Sequence, residues 1–188
     1  MDPPRDVKVR SGDRSFGPGA LSRDQLRERI AGDQPLITDW LDLDAQLQPN
    51  GFDLTLRDVS RFAGKGVIAV ENAGRTLPPL EPLAFGPDGF LDLPPGPYHI
   101  LYNEVVHLPT DLMALGRPRS SLGRCGVAIH TAVWDAGYEG RSTSLLVVGN
   151  PSGFRVERNA RVMQLVFLGL ASAVAEGYRG AYQGENLG

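Results

Sequence analysis

From Trp40 onward the chain is a series of short apolar or alternating runs separated by turn residues, and this pattern restricts the folds open to it. Phe52–Leu56 alternates apolar with polar residues, as a half-buried strand does. Segments rich in proline and glycine, such as Leu93–Gly96 and Asn150–Gly153, separate some of the runs. Many short strands at this spacing are typical of an antiparallel sandwich or barrel. The other predicted strands are Val67–Val70, Phe90–Leu93, Tyr98–Leu108, Leu112–Leu115, Val127–Val133, Leu145–Val148 and Gln164–Leu170.

One helix is predicted near the N-terminus, over Leu21–Ala31. Ser22 is a good N-cap residue, and Gln25 three positions later completes a capping box. Leu21 and Leu26 occupy the staple positions on either side of this cap. The expected fold class is therefore mainly β: a distorted antiparallel β-barrel or jelly-roll-like sandwich with one short N-terminal helix.

The two ends of the chain lack the strand pattern. Residues 1–19 are polar and rich in proline and glycine, so we expect a loosely ordered arm. Residues 171–188 lose the β pattern and contain several glycines, which predicts a flexible tail that is either disordered or ordered only by a ligand. A length of 188 residues suits one domain with a sizeable core, so we expect a single domain over residues 1–188.

Charge and cysteine content exclude several classes of partner. The net charge of −3 gives no global basic field for nucleic acid or an anionic membrane, and neither is expected as a partner. Cys125 is the only cysteine, so no intrachain disulfide can form, which fits a cytoplasmic protein. The apolar runs are too short to span a bilayer, and residues 1–19 have no apolar core typical of a signal peptide.

Several motifs of nucleotide chemistry are missing from the sequence. It contains no H-x-E…P-C-x-x-C pattern of zinc-dependent nucleoside deaminases, no Walker A motif and no G-x-G-x-x-G fingerprint. The histidines His99, His107 and His130 have no metal-ligand spacing and are expected as surface or core residues. No metal-ligating side chains are predicted.

A basic cluster around Arg119 is a candidate anion site. Arg117, Arg119 and Arg124 surround the pair Ser120-Ser121. Arginine offers planar, multidentate donors that suit phosphate oxygens, and serine hydroxyls add neutral donors. A helical turn starting near Ser120 would also direct free backbone N–H groups at an anion. The alternative is a solvated basic loop.

A lone carboxylate, Asp135, stands in the segment Thr131–Gly140 between two strand-like runs. Asp-x-Gly predicts a hairpin turn, and an aspartate at such a place often only caps the backbone. The functional alternative is a carboxylate at the end of a strand that orients and deprotonates a water molecule.

Asp53 is a second candidate. It lies inside a predicted strand, where aspartate is disfavoured, so a specific partner such as an arginine or a metal-bound water is expected. A solvent-facing position is the alternative.

Four motifs, in order along the chain, resemble a known superfamily. They are Asp53 with its strand, R-S-S-L-x-R at Arg119–Arg124, the turn Asp135–Gly140, and R-x-x-Q-L at Arg161–Leu165. The tail adds a pattern similar to Y-x-G-x-Y-Q-G-Q. From Leu21 onward the chain resembles the superfamily of homotrimeric dUTP diphosphatases and dCTP deaminases. The sequences of its motifs are most similar to those of the dUTP-hydrolysing members found in archaea and some bacteria.

The resemblance implies a role for each of these residues. Asp135 would be the catalytic base, Asp53 a supporting residue, and Tyr138 a ring against the deoxyribose that leaves no room for a 2′-hydroxyl. The tail would be a lid over the nucleotide, although Ala181 and Glu185 replace a common lysine and glutamine. The implied substrate-binding residues are Arg119, Ser120, Ser121, Arg124, Thr131, Trp134, Tyr138, Gln164, Tyr182 and Gln183.

Two chemistries are compatible with the resemblance. The deaminases use a glutamate on the strand after the D-x-G-x-x-G turn, but the matching stretch Arg141–Leu146 contains no carboxylate. We therefore expect hydrolysis of dUTP to dUMP and pyrophosphate by water attack on the α-phosphorus. The alternatives are a dCTP deaminase, a bifunctional enzyme, or a nucleotide-binding regulator with the same fold; a β-sandwich interaction domain is a further possibility.

The resemblance also implies the partners of the reaction. Mg²⁺ would be held mainly by the substrate triphosphate, and the working unit would be a homotrimer with shared active sites. Leu145–Val148 and Gln164–Leu170 are candidates for the threefold contact, with about half of their side chains expected in the core of the subunit itself.

Overall fold

A computed structural model describes residues 19–187. The predicted N-terminal arm lies outside the described residues, except for its last residue, Gly19. The helices are α1 (Arg23–Ile30), α2 (Leu43–Gln46) and α3 (Ser120–Arg124), and Asn72–Gly74 forms a short 3₁₀ helix. The described part of the chain contains no helix of the length and apolarity needed to cross a membrane.

The rest of the described chain is built from short strands and their connections. The strands are β1 (Gly19–Ala20), β2 (Ile37–Thr38), β3 (Leu47–Gln48), β4 (Gly51–Phe62), β5 (Leu80–Leu83), β6 (Phe90–Leu93), β7 (Gly96–Tyr102), β8 (Val105–His107), β9 (Leu112–Pro118), β10 (Val127–His130), β11 (Val133–Trp134), β12 (Glu139–Gly140), β13 (Thr143–Val148), β14 (Phe154–Glu157) and β15 (Arg161–Gly169).

The largest sheet is antiparallel and curled, in the order β10-β13-β7-β4-β15-β9-β11. Strand β4 joins its two halves: Phe52 to Thr55 pair with β15, whereas Leu56 to Ser60 pair with β7 across an irregularity in register. A strand that changes partners at such a bend is a common way to turn a sheet through a corner. Two small sheets, β12-β8-β2 and β14-β6, complete the described part. The mainly β prediction is confirmed.

The helix α1 begins as the sequence predicts. The Ser22 side chain accepts a hydrogen bond from the Gln25 backbone, and the Gln25 side chain accepts one from the Ser22 backbone, so the capping box is confirmed. Leu21 and Leu26 are both buried. The helix is shorter than predicted, because Leu21 and Ser22 precede its first turn and Ala31 is its C-cap residue.

Some strand predictions were wrong. Val67–Val70 forms no strand, and Val70 is fully exposed. The run Tyr98–Leu108 contains two strands, β7 and β8, interrupted at Asn103 and Glu104. Val127–Val133 is likewise divided, because β10 pairs with β13 whereas β11 pairs with β9.

The core lies on the inner face of the curled sheet, and α1 packs against it. Residues that alternate along the strands point inward and are fully buried. Examples are Phe52, Leu54 and Leu56 on β4 and Leu165 and Phe167 on β15. The opposite face of β4 carries polar side chains, and it is this face that leads to the candidate site.

Candidate active site

Asp135 lies in a tight turn that projects its carboxylate into solvent. The Tyr138 backbone N–H donates to the Asp135 carbonyl oxygen at 3.0 Å, and Gly137 has a φ of +84°. Glycine adopts this left-handed conformation without steric cost. Among residues 19–187, no side chain or backbone group forms a hydrogen bond or ion pair with the Asp135 carboxylate. The turn does not close a hairpin, because β11 pairs with β9 and β12 pairs with β8. That part of the sequence prediction was wrong.

A pocket of about 240 Å³ opens beside this turn. Aromatic rings form much of its wall, and polar groups stand between them. The aromatic lining residues are Trp134, Tyr138, Tyr178 and Tyr182, and the polar ones are Asp135, Ser142, Thr143 and Glu185. A concave site with aromatic walls and a few polar groups suits a small ring-containing ligand.

A chain of hydrogen bonds crosses the pocket wall. Trp134 Nε1 donates to Ser142 Oγ at 2.6 Å, and Tyr138 donates through its hydroxyl to Glu185 Oε1 at 2.9 Å. Ser142 Oγ and the Tyr138 hydroxyl lie 3.1 Å apart. The indole N–H can only donate, and the single Tyr138 proton is directed at Glu185. Ser142 must therefore donate to Tyr138, and all three bonds run in one direction.

Burial affects both ionisable ends of this chain. It raises the pKa of the Tyr138 hydroxyl, so this group keeps its proton at neutral pH. Burial also raises the pKa of the Glu185 carboxyl, and the hydrogen bond from Tyr138 opposes part of that shift. The Tyr178 ring meets the Tyr138 ring edge to face, with centroids 5.9 Å apart.

The C-terminal tail packs against the Asp135 turn of the same chain. The Tyr178 N–H donates to the Ala136 carbonyl at 2.8 Å, and the Gly184 N–H donates to the Glu139 carbonyl at 2.8 Å. Gln183 contributes through its side chain, which accepts from the Glu139 N–H at 3.1 Å and donates to the Gly137 carbonyl at 3.1 Å. The predicted lid residues Tyr182 and Gln183 therefore lie beside Asp135 in the same chain.

A second polar cluster surrounds Asp53. Its carboxylate is 1% exposed, and its Oδ2 atom lies 3.3 Å from Arg119 Nη1 and 3.4 Å from Arg161 Nη1. The Oδ1 atom is buried without a hydrogen-bond partner among the described residues. Burial raises the pKa of Asp53, and the two guanidinium groups oppose that shift. The prediction of an arginine partner is thus confirmed, and a solvent-facing Asp53 is excluded.

The basic segment around Arg119 continues directly from this cluster. Arg119 is the N-cap residue of α3, so a helical turn does start at Ser120. Ser120, Ser121 and Arg124 are all exposed. Gln164 on β15 lies in register with Asp53, so the two residues share one face of the sheet.

The two clusters are far apart within the chain. Trp134 pairs with Ala114 on β9, and Arg119 follows Ala114 by five residues along an extended chain. At about 3.3 Å per residue this corresponds to about 17 Å. Because β11 runs antiparallel to β9, Asp135 continues away from Arg119. Thr131, in the link between β10 and β11, is half-buried and does not line the pocket.

Three contributors were missed in the sequence. Ser142 joins Trp134 to Tyr138, and Glu104 is a fully buried carboxylate that accepts from the Thr55 backbone and side chain and from Gln46 Nε2. Burial raises the pKa of Glu104. Gln46 also donates to the Asp53 carbonyl, so this network supports the strand that carries Asp53. A charged residue inside the apolar run Tyr98–Leu108 was the available signal for Glu104; nothing in the sequence distinguishes Ser142.

A larger pocket of about 420 Å³ shares only Tyr138 with the Asp135 pocket. His107 lines it and lies 2.9 Å from Thr38 Oγ1 and 3.3 Å from Glu139 Oε1. Residues 19–187 contain no group of three or more histidine, cysteine, aspartate or glutamate side chains placed to hold a metal ion.

The comparisons with known proteins agree with this architecture. Residues 20–170 match the model of the dCTP deaminase-like family, and the chain belongs to that family. It is 49% identical, over 88% of its length and 97% of the relative, to a probable deoxyuridine 5′-triphosphate nucleotidohydrolase of Methanosarcina mazei. A protein of the same name from Archaeoglobus fulgidus is 50% identical, over 89% of this chain and 97% of the relative.

Among solved structures, the 2′-deoxycytidine 5′-triphosphate deaminase from Agrobacterium tumefaciens has a similar fold. The TM-score is 0.63 at 24% sequence identity, and the match covers 82% of this chain and 49% of that chain. This likeness concerns the fold alone.

Proposed function

We propose that this protein hydrolyses dUTP to dUMP and pyrophosphate. The observation that carries the proposal is the Asp135 carboxylate, which is exposed and without a partner among residues 19–187, at the rim of a pocket with aromatic walls. The archaeal relatives named as nucleotidohydrolases of deoxyuridine triphosphate match nearly the whole described chain, which supports this substrate.

In the proposed reaction Asp135 accepts a proton from a water molecule as that water attacks the α-phosphorus. The new bond joins the water oxygen to phosphorus, and the bond to the oxygen that bridges the α- and β-phosphates breaks. Pyrophosphate leaves with the electron pair of that bond. A carboxylate that already bonds to an arginine would be a poor base for this step, whereas Asp135 has its oxygens available.

The pocket would hold the nucleoside. Tyr138 would face the deoxyribose, Trp134 would border the base, and Tyr182 and Gln183 would close the tail over the ligand as a lid. Thr131, which the resemblance also assigns to substrate binding, does not line this pocket. The predicted phosphate-binding residues are Arg119, Ser120, Ser121, Arg124 and Gln164. Asp53 would keep Arg119 in place through its ion pair.

Mg²⁺ would enter as part of the substrate. The described side chains form no cluster suited to a resident metal ion, and the Asp53 carboxylate is engaged by Arg119 and Arg161. The triphosphate oxygens themselves are good ligands for this ion. The protein groups would then bind the magnesium complex of the nucleotide, and the ion would neutralise part of its charge.

Deamination of dCTP is the competing chemistry in this family. The resemblance places the proton-shuttling glutamate of the deaminases on the strand after the turn. In this chain the corresponding segment includes Leu145, which pairs with His99 and His130 on neighbouring strands. Without a carboxylate in Arg141–Leu146, general acid–base catalysis worth roughly a hundredfold to ten-thousandfold would be missing.

A homotrimer would bring the two separated clusters together across subunit interfaces. The distance of about 17 Å along β9 supports this, because one nucleotide must meet both Asp135 and the arginines. The outer sheet face supplies a surface for the contact: Val166, Leu115 and Val133 lie side by side on three strands. Leu115 is 39% exposed and Val133 is 48% exposed. Burying such a row across a closed symmetric interface avoids an open, aggregating surface.

Product analysis tests the proposed activity. Purified protein is incubated with Mg²⁺ and either dUTP or dCTP, and the products are separated by ion-exchange chromatography. We expect dUMP and pyrophosphate from dUTP, and no deaminated product from dCTP. Deamination of dCTP at a rate comparable to dUTP hydrolysis would refute the assignment. Tight binding of dUTP without turnover would indicate a regulator instead.

Subunit mixing tests the shared site. Asp135→Asn chains and Arg124→Ala chains are dissociated, combined and reassembled, and each variant alone is the control. Partial recovery of dUTP hydrolysis is expected, because a mixed trimer contains some pockets with both wild-type residues. A monomeric mass in solution with full activity would defeat the trimer proposal.

A further inference from the structure

The tail glutamate Glu185 occupies a position that the proposed reaction does not explain. Its backbone is fixed on Arg141: the Arg141 N–H donates to the Glu185 carbonyl at 2.9 Å, and Gly140 and Glu185 form an isolated parallel β-bridge. The next residue adds to this backbone contact, since the Asn186 side chain donates to the Arg141 carbonyl at 2.9 Å. These backbone contacts fix the position of the Glu185 side chain in the pocket wall.

At that place it meets the Tyr138 hydroxyl, 2.9 Å away. The approach depends on Gly140, because a Cβ atom there would lie 2.7 Å from the Tyr138 hydroxyl and 3.1 Å from Glu185 Cγ. A side chain at residue 140 would thus push apart the two groups that the tail brings together. The local sequence is adapted to this contact as well as to the turn.

The contact adds a second hydrogen bond to the hydroxyl end of the buried Tyr138 ring. Tyr138 is 6% exposed, and its hydroxyl is bonded on one side to Ser142 and on the other to Glu185. Because all three bonds of the chain run in one direction, each strengthens its neighbour. When the tail is seated, the far end of the Tyr138 ring is tied and the ring cannot tilt away from a ligand.

We propose that Glu185 is a positioning residue that locks the Tyr138 ring when the tail closes, and that it thereby contributes to the discrimination between deoxyribose and ribose. This rests on the proposed function, in which Tyr138 faces the sugar. A ring free to tilt would admit a 2′-hydroxyl, whereas a tied ring excludes it. The selectivity of the site would then require the docked tail as well as the ring itself.

Steady-state kinetics with dUTP and UTP test the proposal. In Glu185→Ala the ratio of the two kcat/KM values is expected to fall by about tenfold, the effect of losing one hydrogen bond to a charged group. Glu185→Gln keeps an oxygen that accepts from Tyr138, so its ratio should stay within about threefold of the wild type. Glu176→Ala is the matched control, because Glu176 is also in the tail but is exposed, and Arg179 is its one ion-pair partner within residues 19–187.

Tyr138→Phe removes the donor of the same hydrogen bond and leaves the tail unchanged. It should lower the dUTP-to-UTP ratio at least as much as Glu185→Ala does, because it also removes the bond to Ser142. The double variant should lose no more than Tyr138→Phe alone, because the bond between Tyr138 and Glu185 is already absent there. This variant also keeps the proposal testable if Glu185→Ala does not fold.

Three results would overturn the inference: an unchanged ratio in Glu185→Ala or in Tyr138→Phe, a Glu185→Gln variant as impaired as Glu185→Ala, or fully additive losses in the double variant. Failure of the proposed function is distinguishable from these. In that case the wild-type protein would hydrolyse neither dUTP nor UTP, and the role of Glu185 would fall with it.

Discussion

Asp53 and Asp135 are two aspartates that the sequence marks as candidate site residues, and the fold gives them opposite surroundings. Asp53 is buried on β4 against Arg119 and Arg161, whereas Asp135 stands in an exposed turn with no ion-pair or hydrogen-bond partner for its carboxylate among residues 19–187. A carboxylate engaged by two guanidinium groups holds its neighbours in position. One that is left open can accept a proton from water. The difference between a positioning carboxylate and one that can accept a proton follows from burial, which the residue type alone does not reveal.

The strongest test of this comparison removes the charge of Asp135. We expect Asp135→Asn to lower kcat for dUTP by at least about a hundredfold, the lower range for loss of a positioned base. Binding of a non-hydrolysable dUTP analogue, measured by calorimetry, should change little, because the amide has nearly the same shape. Turnover within a few-fold of the wild type would show that Asp135 is not the base.

Removing the tail should have the next largest effect. Deletion of residues 178–188 takes away Tyr178, Tyr182 and Glu185 from the pocket wall, whereas all the named strands and helices end before residue 170. We expect kcat/KM for dUTP to fall by about thirtyfold, equivalent to about 2 kcal/mol of lost aromatic contact. Circular dichroism should show an unchanged β spectrum. The control deletes residues 187 and 188 alone, and normal turnover by the longer truncation would contradict the lid.

Asp53→Asn sharpens the comparison, because it should reduce stability more than Asp135→Asn does, although Asp135→Asn should reduce activity more. In Asp53→Asn a buried amide NH2 group, which cannot accept a hydrogen bond, replaces one carboxylate oxygen beside Arg119 and Arg161. This mispaired group should lower the free energy of unfolding by about 1–3 kcal/mol, whereas Asp135→Asn should change it by less than about 0.5 kcal/mol. Urea denaturation measures both. We also expect kcat/KM for dUTP to fall by about tenfold in Asp53→Asn, because Arg119 loses its anchor. Equal stability of the two variants would remove the distinction between them.

The smallest expected effect concerns pH and the seated tail. Burial raises the pKa of Glu185 when the tail is docked, so the protonated carboxyl fits the docked state better than the ionised one. Docking is therefore strongest below the ordinary pKa of glutamate and weakens as the pH rises through the raised value. Hydrogen exchange of the Gly184 and Arg141 amides reports docking after correction for intrinsic rates. In Glu185→Gln the pH dependence should disappear, and its persistence would assign it to another group.

Local signals in the sequence were enough for several elements. The Ser22–Gln25 capping box and the glycine turn after Asp135 were both confirmed, because each depends on residues within a few positions of one another. The arginine partner of Asp53 followed from the cost of a charge inside a strand. These inferences need no knowledge of the rest of the chain.

Features that depend on distant parts of the chain were beyond such reasoning. The strands beside the Asp135 turn pair with β9 and β8 and not with each other, so the expected hairpin was wrong. The bond from Tyr138 to Glu185 joins residues 47 positions apart. Four strands of two residues each were missed, together with two of four residues, Leu80–Leu83 and Phe154–Glu157. Runs this short carry too little periodicity to be recognised, and Leu80–Leu83 also contains a proline.

The crossing of the tail over the Asp135 turn has a consequence for how relatives of this protein diverge. Gly137 and Gly177 meet backbone to backbone there: a Cβ atom on Gly137 would lie 2.5 Å from the Gly177 Cα, and one on Gly177 would lie 2.8 Å from the Gly137 Cα. Neither position tolerates a side chain while the other segment is in place. A lineage that abandoned the docked tail would release Gly177, whereas Gly137 would still be restricted by its φ of +84°. Gly177 should therefore be the first of the two glycines to vary across the family, and only where the tail no longer docks.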